Sequence, residues 1–184
     1  GVGQAPVRQA ALLAGLPLSA GCAMVSKVCG SGMKAAMVGH DGLLAGSSNI
    51  TVVGGMESMT NAPYLLPKAR GGYRLGHGQI LDHMFLDGLE DSYGKETRGR
   101  LMGTFAEDTA QAYQFTREQQ DAFAIESLKR AQKAIVEGFF ANEITPVPVK
   151  AGKTETTVDR DEQPLKAKLD RIPSLKPAFR EGGT

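Results

Sequence analysis

Cys29 is one of only two thiols in this 184-residue chain, and it lies between two runs of opposite structural character. Before it, Ala23-Met24-Val25-Ser26-Lys27-Val28 is short and alternating, with two valines and no breaker, which predicts a strand. After it, Gly30-Ser31-Gly32 opens a run in which Met33, Met37 and Leu44 recur at roughly helical spacing. A cysteine in such a turn faces the free N–H groups and the positive dipole end of the following helix, which favour thiolate over thiol. It is either a nucleophile or, as free cysteines often are, a small buried hydrophobe. Glycines on both sides of Ser31 leave room for a substrate to approach the backbone.

The other groups able to do chemistry are less well placed. His40 comes eleven residues after Cys29; at helical rise that is on the order of 16 Å along the same helix, too far for it to serve as base for the thiol. His77 and His83 stand in a glycine-rich stretch and could approach a ligand, but neither has the spaced cysteine or carboxylate partners of a metal site, and no metal is expected. Cys22 reads as structural. Glu57, after the pair Gly54-Gly55, either supports the site or caps the following turn.

Stepping along the chain, the elements that must position Cys29 alternate. Pro6 and Gly15 bracket a short helix over residues 7–14. The strand before Cys29 and its helix follow, with Gly46 as the helix stop. Residues 49–53 then read as a fully buried strand, so strand, helix and strand make a right-handed parallel unit whose carboxyl ends carry Cys29 and Gly54. Residues 61–103 are punctuated by Pro63, Pro67, Gly71-Gly72, Gly76 and Gly78 and are expected to be loop-rich, with a helical turn or two near 80–86. Lys68, Arg70 and Arg74 make this stretch basic, for solubility or as a surface for another subunit or for phosphates. Thr104 with Glu107, and Thr116 with Gln119, each show the capping-box pattern. The second opens a helix with Ile125, Leu128, Ala131 and Ile135 as its core stripe, ended by Gly138. Residues 144–149 and 154–158 flank Ala151-Gly152 as a hairpin with prolines marking an edge, and 159–171 show no clear element.

Lys27-Val28-Cys29-Gly30-Ser31-Gly32-Met33, followed by Val52-Val53-Gly54-Gly55-Met56-Glu57-Ser58-Met59, resembles the acyl-cysteine region of the thiolases, the acetyl-CoA acetyltransferases and acyltransferases. The resemblance continues through Asp87-Gly88-Leu89, Met102-Gly103-Thr104-Phe105-Ala106-Glu107, residues 116–123 and Leu175-Lys176-Pro177-Ala178-Phe179. It implies an α/β fold with the thiolase α-β-α-β-α layering, here an incomplete N-terminal half with an inserted loop domain. Residues 1–60 would belong to the core domain carrying the nucleophile. Residues 61–184 would form the loop domain, which binds CoA, holds subunits together and runs towards the return to the core. By the same resemblance the first strands and helix of that half, and essentially all of the C-terminal half, lie outside this chain.

The activity implied is Claisen condensation of two acetyl-CoA to acetoacetyl-CoA, or its thiolytic reverse, through an acyl-cysteine on Cys29. Met102 corresponds to a methionine lining the acyl and pantetheine pocket, and Phe179 to an aromatic beside the adenine. Leu101 stands where the best-described biosynthetic branch has histidine, which puts that pantetheine contact in question. The family's histidine base and second cysteine lie in the C-terminal half, so this segment is expected to be inactive alone. Implied partners are acyl-CoA substrates, the C-terminal half of the same polypeptide and further copies, as a dimer or tetramer; coenzyme A is substrate and no cofactor is held permanently. A ketoacyl-synthase-like condensing enzyme and a non-catalytic interaction module of the same fold are the alternatives.

Composition restricts the remainder. With 41% hydrophobic and 22% charged residues the chain could bury a sizeable core. A net charge of +1 offers no electrostatic case for nucleic acid or an anionic membrane. No apolar run approaches a membrane span and no signal segment opens the chain. Two cysteines do not make a disulfide framework, so a reducing compartment is expected: cytoplasm, or the mitochondrial matrix in a eukaryote.

Overall fold

The structure, a computed structural model, describes residues 2–184 and divides into two compact units, Gly1–Arg100 and Leu101–Thr184. In the first unit helix α1 spans Pro6–Leu13, with proline at its first position, and Gly15 at φ 80° turns the chain out of it. The Arg8 guanidinium donates to the carbonyls of Leu18 and Ala20 at 2.7 and 2.6 Å, folding the next segment back on α1. Helix α2 spans Ser31–Leu44, and Gly46 at φ 69° ends it as expected.

Residues 23–28 and 49–53 are not strands. Neither is part of a ladder among the described residues; the nearest approach is a bridge between Lys27 and Cys29. A strand exists only through its neighbours' hydrogen bonds, and neither segment has such a ladder among the described residues. Nor is 49–53 buried: Ile50 and Val52 are 86% and 79% exposed. What the sequence pattern does achieve is packing of 51–53 across α2. A Cβ at Gly39 would stand 2.8 Å from Val53 Cγ1 and 3.1 Å from Thr51 Cγ2, and Gly39 is the one buried residue of α2.

The loop-rich stretch is held by small devices. Strands β1 (Tyr64–Leu65) and β2 (Leu81–Asp82) pair antiparallel and close the excursion between them. The expected helical turn near 80–86 is present in part: β2 occupies 81–82, and residues 83–84 are helical and run into a π-helical turn over Phe85–Leu89. Asp91 next organises a closed loop: its carboxylate accepts from the Thr97 hydroxyl and from the backbone N–H groups of Tyr93 and Gly94, and its own N–H donates to the Arg100 carbonyl at 2.9 Å.

The second unit is helical. Helix α3 spans Met102–Tyr113 and α4 spans Arg117–Val136. Thr116 and Gln119 form the expected capping box, but Thr104 and Glu107 do not. The helix starts three residues earlier, with Leu101 as N-cap, so Thr104 is inside the first turn and its hydroxyl donates to the Leu101 carbonyl at 2.7 Å. Strands β3 (Val147–Ala151) and β4 (Thr154–Val158) form the expected hairpin, with Gly152 at φ 65° in the turn. Residues 159–171 are more ordered than their charge implied: α5 occupies Gln163–Lys166 and a 3-10 helix Leu169–Ser174. Gln132 Nε2 donates to the Pro164 carbonyl at 2.8 Å, and Arg117 donates to the carbonyls of Ile172 and Leu175 at 3.1 and 2.8 Å, so both pieces are strapped to α4. The stripe Ile125, Leu128, Ala131 and Ile135 is half-buried rather than core.

Burial throughout is thin. Among the described residues only Gly39, Glu107 and Ala110 are buried, and the chain exposes 15613 Å². A complete folded monomer of this mass would expose about 8,500 Å².

Candidate active site

Cys29 stands in a strained backbone turn of the first unit. Val28, immediately before it, has φ 48°, a left-handed conformation that costs an L-residue about 1–2 kcal/mol and is rarest for a β-branched one. Ser31 holds it there: its hydroxyl accepts from the Lys27 N–H at 2.8 Å and donates to the Val28 carbonyl at 2.7 Å. Two backbone bonds complete the turn, from Gly30 to Lys27 and from Ser31 to Val28, at 2.9 and 3.2 Å. Strain of this kind persists only where the surroundings over-determine it, and it collects at functional sites. The result is a cysteine one residue ahead of the Gly30 N-cap of a 14-residue helix. Cys29 is exposed. Cys22 is exposed as well, but it lies in no such turn and its thiol donates to the Ala20 carbonyl at 3.7 Å.

The two halves of the sequence pattern meet here. A Cβ at Gly55 would lie 3.7 Å from the Gly32 Cα, so the Gly54-Gly55 segment returns to the first turn of α2, beside the turn that carries Cys29. Glu57 accepts from the Ser58 N–H at 3.1 Å, just ahead of a 3-10 turn over Met59–Asn61 that has no side-chain cap.

The histidines fall away from this turn in different ways. His40 is exposed on α2 and pairs with Asp41 at 3.6 Å. His83 has a partner that its sequence context did not advertise, Asp87 at 3.1 Å, because the π-helical turn places the two on one side. His77 is exposed. No group of three or more metal-ligating side chains occurs among the described residues. The basic residues Lys68, Arg70 and Arg74 are all exposed around a 3-10 turn over Ala69–Gly71.

The residues singled out for coenzyme binding lie in the second unit. Leu101 is the N-cap of α3, half-buried, and Met102 is its first residue, 46% exposed. Phe179 is 50% exposed, and its ring lies directly on Gly103 with no room for a Cβ. Met102 and Phe179 carry separate roles in the sequence pattern, whereas Gly103, which joins them, stands there only as part of a run and with no role of its own. The loop ahead of Leu101 is electrostatically fixed: the Thr97 hydroxyl, then the N–H groups of Tyr93 and Gly94, hold the Asp91 carboxyl below its ordinary range, with Arg100 adding attraction.

A second missed residue is Glu107, 8% exposed in the interior of α3. Its two carboxylate oxygens accept from the Thr184 N–H at 3.1 and 3.0 Å. Its glutamate character was visible, but the three-residue spacing from Thr104 pointed to a cap.

Comparison with known proteins places this geometry. A family model described as the N-terminal domain of thiolase matches residues 1–184. The acetyl-CoA acetyltransferase IB of Candida tropicalis is 48% identical over all of this chain and 45% of its own length. The acetyl-CoA acetyltransferase of Saccharomyces cerevisiae is 45% identical over all of this chain and 46% of its own length. The solved structure of acetyl-CoA acetyltransferase from Syntrophomonas wolfei superposes with a TM-score of 0.88 at 41% identity, covering all of this chain and 45% of that one. The Acat5 thiolase of Ascaris suum, solved in complex with coenzyme A, gives 0.84 at 39% identity over 98% of this chain and 44% of that one. The chain thus spans less than half the length of the relatives it matches, and its fold is the N-terminal portion of theirs.

Proposed function

Because the chain belongs to the thiolase family, matching its N-terminal domain from end to end, we propose that the protein is an acyl-CoA:acetyl-CoA C-acyltransferase with Cys29 as the acylated nucleophile. The observation that carries this is the turn: an exposed thiol held one residue ahead of a helix by the strained Val28 and the Ser31 hydroxyl. The Cys29 sulfur attacks the thioester carbonyl of an acyl-CoA, the carbon–sulfur bond to coenzyme A breaks, and the released thiolate takes a proton. The enolate of acetyl-CoA, formed by loss of a Cα proton to a base, then attacks the acyl-cysteine carbonyl and frees Cys29, giving a β-ketoacyl-CoA. Thiolysis is the same path reversed.

This segment contributes the nucleophile and part of the coenzyme surface. The base, the second cysteine and the oxyanion donors belong to the remainder of the complete protein. Met102 and Leu101 would line the pantetheine arm and Phe179 would face the adenine. Residues 1–60 act as part of the catalytic core and 61–184 as the loop domain. Leaving the acyl group on a protein sulfur requires no resident cofactor. Fatty acid metabolism and a homodimeric or homotetrameric assembly follow from the same reading. No helix among the described residues is long and apolar enough to cross a membrane; a cytoplasmic or mitochondrial-matrix enzyme fits, and a relative from Gibberella zeae is named as mitochondrial.

Incubation of the complete protein with acetyl-CoA, quenching in acid and peptide mass mapping should find the acetyl group on Cys29. A label on Cys22, or none on Cys29, would refute the assignment.

A further inference from the structure

We propose that Glu107 and Gly183 are positioning residues for coenzyme binding: together they clip the segment 180–184 along α3 so that the Phe179 ring is held on Gly103. The inference rests on the reading that Phe179 faces the coenzyme, but its structural half does not.

Glu107 is the one buried charged residue among those described. A carboxylate is retained in such a place only when its lone pairs are met, and here the residue that meets them is 77 positions distant: the Thr184 N–H reaches both oxygens, and the Thr184 hydroxyl lies 3.3 Å from Oε2. Gly183 makes the approach feasible. A Cβ there would overlap the Glu107 carboxylate, so any other residue would push the segment off the helix or turn the acid out of its seat. Three further bonds hold the same segment at its sides. Gln120 Nε2 donates to Thr184 Oγ1 at 2.9 Å. Arg180 pairs with Asp108 and donates to Gln111 Oε1 at 3.1 Å.

Phe179 is the residue next to Arg180. Its ring covers Gly103 at the start of α3, four residues and about one turn before Glu107, on the same side of the helix. A half-exposed aromatic seated on a glycine has little of its own to fix it, so its orientation is inherited from the clip. Holding such a ring in place before the ligand arrives reduces the ordering that binding must otherwise impose. Loosening the clip should therefore weaken coenzyme binding and leave the acyl chemistry at Cys29 largely intact.

The test uses the complete protein and the variants Gly183→Ala, which keeps the acid but crowds it, and Glu107→Gln, which keeps the size and one acceptor. Hydrogen exchange of the backbone at 180–184 should rise markedly in G183A and less in E107Q. In thiolysis of acetoacetyl-CoA, KM for coenzyme A should rise about tenfold in G183A, a factor equal to about 1.4 kcal/mol, with kcat changed less than about threefold. Unchanged exchange at 180–184 in G183A overturns the clip whether or not the enzyme turns over. Raised exchange with an unaltered KM overturns the role in coenzyme binding. A wild-type protein that does not catalyse thiolysis removes the proposed function instead, and leaves the clip to be judged by exchange.

Discussion

The neighbourhood of α2 and the neighbourhood of α3 and α4 both leave apolar side chains exposed, but they differ in how polar bonds tie them together. Around α2, Met33, Met37 and Leu44 are 75%, 53% and 76% exposed, and Ile50 and Val52 across from it are more so. Hardly any long-range side-chain bond ties this region together; its order comes from one local turn and from Gly39 under Val53. Around α3 and α4 the apolar surface is also poorly covered, yet Arg117, Gln120, Gln132, Arg180 and Glu107 bond to groups from 32 to 77 positions away. Directed polar bonds can be satisfied within a segment, whereas an apolar face is satisfied only by another face. The region that carries Cys29 is therefore the one that depends most on what packs over it.

The largest effect should come from Cys29→Ser. In the complete protein it should lower acyl transfer by about 10³-fold or more, because a hydroxyl has no accessible anion to attack the thioester. Assays of thiolysis with circular dichroism as a fold control check it; retention of even a tenth of the activity would move the nucleophile elsewhere and remove the functional meaning of the exposed α2 region.

Expressing residues 1–184 alone tests the comparison directly. Uncovered apolar faces on α2 and 49–53 should bind a hydrophobic dye and drive self-association, with no thiolase turnover. Amide exchange in α2 should be faster than in α4. Equal protection in both helices would mean that α2 needs no cover.

On the other side, Arg117→Ala should strike the polar bonding of α4. It removes an ion pair to Asp121 at 2.8 Å, one-quarter exposed on the arginine side, and two bonds to the carbonyls of Ile172 and Leu175. A loss of about 1–3 kcal/mol in urea unfolding of the complete protein is expected, with faster exchange confined to 169–176. If the loss spreads to α2 instead, the two regions are not separate.

The smallest effect concerns pH. The Asp91 carboxyl is held below its ordinary value of 3.8, chiefly by the Thr97 hydroxyl and then by two backbone N–H groups. A depressed folded value means that the contribution is fully present above 3.8 and is lost as pH falls through the lower folded value. Exchange in residues 91–100 should thus stay slow from neutral pH down to that point and rise below it. Thr97→Val should bring the onset to higher pH; an onset identical to wild type would refute the role of the hydroxyl.

Local chemistry was largely legible in the amino-acid sequence: Pro6 and Gly15 around α1, Gly46 after α2, the Thr116–Gln119 capping box, the hairpin around Gly152, and a cysteine set at the entrance to a helix. Each of these is decided by residues within a few positions of one another, through φ preference, capping or periodicity. The residues of the thiolase pattern were legible for the same reason, as contiguous runs. Tertiary structure alone decided the rest. Whether 23–28 and 49–53 become strands depends on neighbours that a periodic pattern does not supply, and Glu107 served Thr184 rather than Thr104 because a partner 77 positions away outweighed one at three. Gly103 under Phe179 and Gly183 against Glu107 were equally hidden, since a glycine kept for the absence of its side chain shows its purpose only when another part of the chain comes to occupy that space.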